Sequence, residues 1–214
     1  MNWQIIKAVA FIALLALPAN AQQSPLSQSK IFRAPDGSFQ FSYPSYFQVC
    51  KQDEVEQCTQ SYIPVCEQEA VICVVYPAKR FEGTNFGAAS FQVKEIHIEG
   101  EGMTANVCVT PYPKEDATGV QSWPEFLISA RHPGEMIGGV LFVHGISGGA
   151  AMSHWLSVDL YRALHRQRCF QLSVSETDTN PAISDPPVKT LTPAQSKELE
   201  TSMSQILHSF RFLK

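Results

Sequence analysis

The chain has 214 residues, of which 44% are hydrophobic and 17% charged, with a formal net charge of −4. Neither sign is clustered: the densest basic spots are the pair Lys79-Arg80 and the Arg166, Arg168 turn. A phosphate-binding surface needs a dense cationic stripe, so nucleic acid is excluded as an expected partner, and an anionic membrane surface with it.

The N-terminus reads as an export signal. Lys7 closes a short region without acidic residues, Ala8 to Leu17 form an unbroken apolar run, and Pro18 breaks it. Ala19-Asn20-Ala21 then supplies a small-x-small cleavage pattern, which predicts a signal peptide over residues 1–21. The apolar run spans only about 15 Å as a helix, roughly half of a hydrocarbon core, so it is too short to anchor the protein. No later stretch is apolar enough to span, because the best one, Ile137 to Ile146, carries three glycines and His144. A secreted or periplasmic location follows, with no stable membrane insertion after cleavage. Removing 21 of the 214 residues leaves 193, enough for one domain. The Gln/Ser-rich segment 22–30 reads as a disordered leader, and residues 31–214 as the folded part.

All six cysteines, Cys50, Cys58, Cys66, Cys73, Cys108 and Cys169, lie in the mature part. An even count in an exported chain predicts disulfides. Four fall close together, but their gaps of seven, seven and six residues do not suit zinc knuckles, which place two to four residues between ligands. Six cysteines permit fifteen pairings, and spacing does not choose among them.

The first predicted elements are two strands, Ile31 to Arg33 and Ser38 to Tyr43, joined by Ala34-Pro35-Asp36-Gly37. Phe39, Phe41 and Tyr43 alternate with polar residues, and Pro-Asp-Gly supplies turn chemistry. Residues 51–69 show no period and read as a cross-linked loop. Ala70 to Tyr76 is a β-branched run ended by Pro77 and predicts a fully buried central strand. Further strands are expected over Ser90 to His97, Thr104 to Thr110 and Gly138 to His144. Leu156, Val158, Leu160 and Leu164 keep a period of two, as do Phe170, Leu172 and Val174 after the polar turn at residues 165–168. A helix over 150–165 competes, since Ala151, Trp155 and Val158 also fit 3.6 residues; the complete hairpin favours strands. Residues 176–188 read as loop. The last element is a helix: Thr192 caps it, Pro193 suits its first position, and Gln195 completes a capping box. Leu199, Met203, Ile206, Leu207 and Phe210 form its apolar face.

One motif invites a catalytic reading. Gly145-Ile146-Ser147-Gly148-Gly149 matches Gly-x-Ser-x-Gly directly after a predicted strand. In a serine esterase or lipase, Ser147 would be the nucleophile, with Asp159, Asp178 or Asp185 as the acid and His208 as the base. Three features oppose it: a strand rather than a helix follows the serine, no alternating strand–helix pattern precedes it, and His208 sits on the terminal helix. A glycine-rich β-turn is the expected structure there. The six histidines, His97, His132, His144, His154, His165 and His208, show no metal-binding spacing. Asp53, Glu54 and Glu56 lack the rest of a calcium loop. No cofactor, metal site or catalytic residue is therefore expected.

Both ends resemble PsbP-like proteins, the group of the extrinsic photosystem II subunit. The opening pattern is carried by Phe32, Gly37, Phe39, Phe41, Tyr43 and Pro44, and the closing one by Ile206, Ser209, Phe210, Arg211 and Phe212. Gly83 to Phe86 and the Tyr161 to Val174 hairpin also look like small secreted bacterial proteins. The resemblance implies an α+β fold, a central antiparallel sheet flanked by helices, and it implies no activity. Together these readings suggest an exported, disulfide-stabilised, non-enzymatic domain that binds or assists a protein or envelope component, with the Ser147 hydrolase as the alternative.

Overall fold

The computed structural model describes residues 28–50, 58, 65–67, 69–97, 108–109, 130–151, 153–184 and 186–214, without the side chains of 130–132 and 151. The proposed signal peptide, the acidic loop at Asp53 to Glu56, and Asp185 lie outside these residues.

Among the described residues, ten strands build two antiparallel sheets. A short sheet has the order β1 (Ser29–Arg33), β2 (Phe39–Pro44) and β10 (Arg211–Phe212). The second has seven strands: β3 (Gln48–Cys50), β4 (Ile72–Tyr76), β5 (Phe86–Ile96), β9 (Arg168–Thr179), β8 (His154–His165), β7 (Val140–Ala151) and β6 (Ala130–Ile137), in that spatial order. Helix α1 (Pro193–Ser209) is the single α-helix delimited among the described residues, although Cys58 and Cys108-Val109 also have helical backbone.

This corrects the expected fold class. Strands hold 54% of the described residues, and these form two sheets with one α-helix, not a central sheet flanked by helices. The physical reason lies in the connections. Tight turns join β6 to β7 and β8 to β9, with positive φ at Gly138-Gly139 and at Arg166-Gln167, and such hairpins leave no room for crossover helices. The short sheet, closed by β10, takes a place where flanking helices were expected.

The β1–β2 hairpin follows its sequence pattern, with Gly37 at φ 72° and Asp36 Oδ1 accepting from both the amide and the hydroxyl of Ser38. Pairing begins at Ser29, so the end of the expected leader belongs to a strand. Of the span predicted as a strand at 70–76, Ile72–Tyr76 forms β4 and is fully buried, whereas Val71 is exposed; β4 lies second from an edge, beside β3. Val109 and Cys108 are helical, against the strand expected at 104–110. Residues 156–164 are strand, as their period of two required.

The main core lies between the seven-stranded sheet on one side and the short sheet with α1 on the other. Phe39 packs 5.3 Å from Phe210, and Phe41 packs 5.0 Å from Phe91, ring centroid to centroid. Leu199, Met203, Ile206, Leu207 and Phe210 are all buried, as the helical spacing implied. The capping box is formed: Gln195 N–H donates to Thr192 Oγ1, and Thr192 N–H donates to Gln195 Oε1. Arg168 ties the layers together through Asp36 of the first turn and Glu95 of β5.

The opposite face of the large sheet has a different chemistry. Alternation along β9 sends Gln171, Ser173, Ser175 and Thr177 to it, and all four are buried together with Ser90 and Gln92. Buried polar groups need partners, and the segment at Val65 to Glu67 supplies several. Ser90 Oγ donates to Val65 O, Glu67 N–H to Gln92 Oε1, and Gln92 Nε2 to Glu67 Oε1. The disulfides secure this side, joining Cys50 to Cys58, Cys66 to Cys73 and Cys108 to Cys169.

Candidate binding face

Ser147 sits inside β7, paired with Val158 of β8, and is buried. Gly148 and Gly149 continue the same strand opposite Ser157 and Leu156, so the glycine-rich segment is neither the expected β-turn nor a nucleophile elbow. The turn comes later, where Ser153 takes φ 76°. Strand geometry then separates the proposed triad. Ser147 points to the buried polar face with Ser175 and Ser90, whereas Asp159 and Asp178 lie on the other. His208 Nε2 lies 2.8 Å from Glu135 Oε1 at the end of α1. Among the described residues Ser147 bonds to no histidine and no carboxylate.

The other histidines have structural surroundings. His144 Nε2 is 2.8 Å from Asp159 Oδ1, and its ring stacks on Tyr161 at 4.3 Å. His154 Nδ1 meets Thr179 Oγ1 at 2.9 Å. His165 stacks on Phe212 at 4.0 Å, and burial, then the charge of Arg166, hold its pKa below the ordinary value. His97 is exposed, and His132 lies in β6. Among the described residues no group of three His, Cys, Asp or Glu side chains could hold a metal ion.

What the register does bring together is an acidic, partly uncovered stretch of sheet. On the α1 side of β9, burial is complete at Phe170 and Leu172, partial at Val174, and lost at Glu176. The long strands extend past the helix. There Asp159, Ser157 and Trp155 of β8 lie beside Val174, Glu176 and Asp178 of β9 in register. Arg162 of β8 belongs to the opposite face, and on this face of β7, β8 and β9 no Lys or Arg occurs before Arg168 at the far turn.

The electrostatics follow from this placement. Partial desolvation, then the charge of Asp178, hold the Glu176 carboxyl above the usual range, and partial desolvation does the same to Asp178. Burial pushes the Tyr161 hydroxyl up, and the charges of Asp159 and Glu135 add to the effect. Trp155, 54% exposed, stands directly across from Asp178. On the β7 side its neighbours are Ala150 and then Gly148, whose small side chains leave its flank open.

The acidic face does not follow from the expected elements, because residues 176–188 read as loop, whereas β9 runs to Thr179. The polar run Ser175-Glu176-Thr177-Asp178-Thr179 keeps a period of two, with Thr177 buried between exposed and half-buried acids, and that alternation was the available signal.

No family model and no curated protein sequence matches the chain. Solved structures do. The chain is similar to a protein of Bacteroides thetaiotaomicron VPI-5482 at 8% identity and TM-score 0.44, over 86% of this chain and 48% of that one. The chain thus spans about half the length of that relative. It is similar to LpqN, involved in cell envelope biogenesis of Mycobacterium tuberculosis, at 9% identity and TM-score 0.41, over 87% of this chain and 91% of LpqN. It is also similar to cyanobacterial PsbP (CyanoP) from Synechocystis sp. PCC 6803, at 10% identity and TM-score 0.40, over 89% of this chain and 96% of that one. A PsbP protein thus stands among the structural neighbours.

Proposed function

We propose that this chain is exported, cleaved after Ala21 and matured to a disulfide-linked, non-catalytic domain that binds or assists another protein or an envelope component. The observation that carries the reading is the position of Ser147. A serine nucleophile needs an exposed hydroxyl on a strained strand-to-helix turn and a base within hydrogen-bond reach. Ser147 instead lies buried in the middle of an antiparallel ladder, with His144 and His208 both engaged by carboxylates elsewhere. Three disulfides support an oxidising compartment, since such bonds persist there and not in a reducing cytosol. No helix among the described residues is long and apolar enough to cross a membrane.

A fluorophosphonate probe tests the reading. The oxidised protein beginning at Gln22 should stay unlabelled under conditions that label an active serine esterase completely. Stoichiometric labelling that vanishes in Ser147→Ala would replace the binding domain with a hydrolase.

A further inference from the structure

We propose that the uncovered face of β7, β8 and β9, centred on Trp155, Glu176 and Asp178, docks an extended, lysine- or arginine-bearing polypeptide segment. The inference rests on the binding-domain reading and names the surface and the chemistry of its partner.

Three independent observations meet at this place. The first is charge. Asp159, Glu176 and Asp178 share the face, and no cationic side chain of these strands balances them there. Asp159 is engaged by His144, whereas the carboxylates of Glu176 and Asp178 have no hydrogen-bond or ion-pair partner among the described residues. Desolvation, and for Glu176 also the charge of Asp178, disfavours their ionised forms, and a bound cation would offset that.

The second observation is Trp155. A large aromatic ring left more than half exposed, beside two carboxylates, is the combination that holds a Lys or Arg side chain. The ring face attracts the cation and packs against the aliphatic stem, while the acids take the charged head. Tryptophan is also a residue type enriched among those that dominate binding energies.

The third is the small-residue end of β7. Gly148, Gly149 and Ala150 of β7 are exposed, on the strand that pairs with Trp155 and its neighbours in β8. Small side chains allow close approach of another backbone, which is the geometry of strand addition. A chain added here would place every second side chain over the Trp155 face, at about 7 Å intervals, the same repeat that separates Glu176 from Asp178 along β9. A helix has no such match of period to the acidic rows.

The test is fluorescence anisotropy of the oxidised protein beginning at Gln22, with labelled eight-residue peptides of alternating Lys-Thr, Gln-Thr and Glu-Thr, and with labelled cellohexaose. The Lys-Thr peptide should bind most tightly, and its affinity should fall as salt is raised from 50 to 300 mM. Trp155→Ala and the double variant Glu176→Gln/Asp178→Asn should each weaken it about tenfold or more. Ala150→Lys should weaken it too, by placing a positive charge opposite Trp155. Glu82→Gln, an exposed acid elsewhere, should leave it unchanged. All substituted positions are exposed or half-buried, and circular dichroism melting checks that each variant folds. Equal binding of Lys-Thr and Glu-Thr, binding indifferent to the Trp155 and Glu176/Asp178 variants, no peptide binding, or binding of cellohexaose alone would each overturn the proposal. If the peptide fails and fluorophosphonate also fails to label, the docking inference falls while the non-catalytic reading stands. Labelling at Ser147 removes that reading whatever the peptide does.

Discussion

Gly138 lies against the backbone of Phe210: a Cβ built on this glycine would meet Phe210 O and come within 2.8 Å of Arg211 Cα. Gly138 also has φ 56°, in the β6–β7 turn, so two demands fall on one position. The turn needs left-handed backbone, and the C-terminal segment passes directly over it on the way from α1 to β10. That close passage lets β10 pair with β2 and allows Phe212 to stack on both Phe142 and His165. Gly138→Ala should therefore destabilise the fold by about 2 kcal/mol or more, through backbone strain plus displaced main chain. Gly149→Ala is the control, because its Cβ would meet nothing within 4 Å, and it should change stability by less than about 0.5 kcal/mol. Urea denaturation of the two variants checks the difference.

The disulfides should not contribute equally. Cys108–Cys169 closes a loop with a sequence separation of 61, against 7 for Cys66–Cys73. Loop-closure entropy alone makes the long crosslink worth about 2 kcal/mol more than the short one. Replacing Cys108 and Cys169 together with alanine should lower the urea midpoint more than replacing Cys66 and Cys73 together. Thiol titration of the denatured, unreduced wild type should find no reactive group.

Two sets of carboxylates should oppose each other in acid. The Ser38 hydroxyl, the Ser38 amide and then Arg168 hold Asp36 down to about 2. Its folded pKa is below the unfolded value, so its contribution is present above about pH 4 and is lost as pH falls toward 2. Glu176 and Asp178 are raised, so the native state binds their protons more readily than the unfolded chain does. Their unfavourable contribution at neutral pH is relieved as pH falls through the raised values. Melting temperatures should thus rise in Glu176→Gln relative to wild type at pH 7, with the gain shrinking in acid. Asp36→Asn should lower the melting temperature at pH 7, with the loss shrinking toward pH 2.

Phe210 links the two sheets, packing on Phe39 at 5.3 Å and Phe212 at 5.1 Å of the short sheet and on Phe142 of β7 at 6.0 Å. Phe210→Ala should cost about 3–5 kcal/mol, the range for a buried aromatic whose cavity cannot collapse. Chemical denaturation gives the value, and Phe210→Leu should recover more than half of the loss.

Local chemistry made part of this fold readable in advance. Pro35-Asp36-Gly37 between alternating aromatics specifies its hairpin, and Thr192-Pro193 with Gln195 specifies the helix start, because in each case neighbouring residues supply the interactions. The period of two at Leu156 to Leu164 was correct even against a plausible helix. Residues 145–151 misled for a physical reason. Gly-Ile-Ser-Gly-Gly-Ala-Ala has low strand propensity, and its strand state is held by the ladder to Trp155 through Leu160, partners that lie across a turn. The flanking short sheet was hidden likewise, since β10 is two residues long and exists only by pairing with Gln40 and Phe39. The acidic face had no local motif at all: Asp159, Glu176 and Asp178 become neighbours only through the β8–β9 register.

On the proposed reading, this protein acts through its open acidic face and not through Ser147. Titrating the alternating Lys-Thr peptide into ¹⁵N-labelled oxidised protein and following amide and indole resonances tests it most directly. Shifts should concentrate at the Trp155 indole and at the amides of Gly148, Ala150, Ser157, Glu176 and Asp178, fading as salt is added. Shifts centred on Ser147, Ser175 and Ser90 across the buried polar face, or none at Trp155, would contradict it.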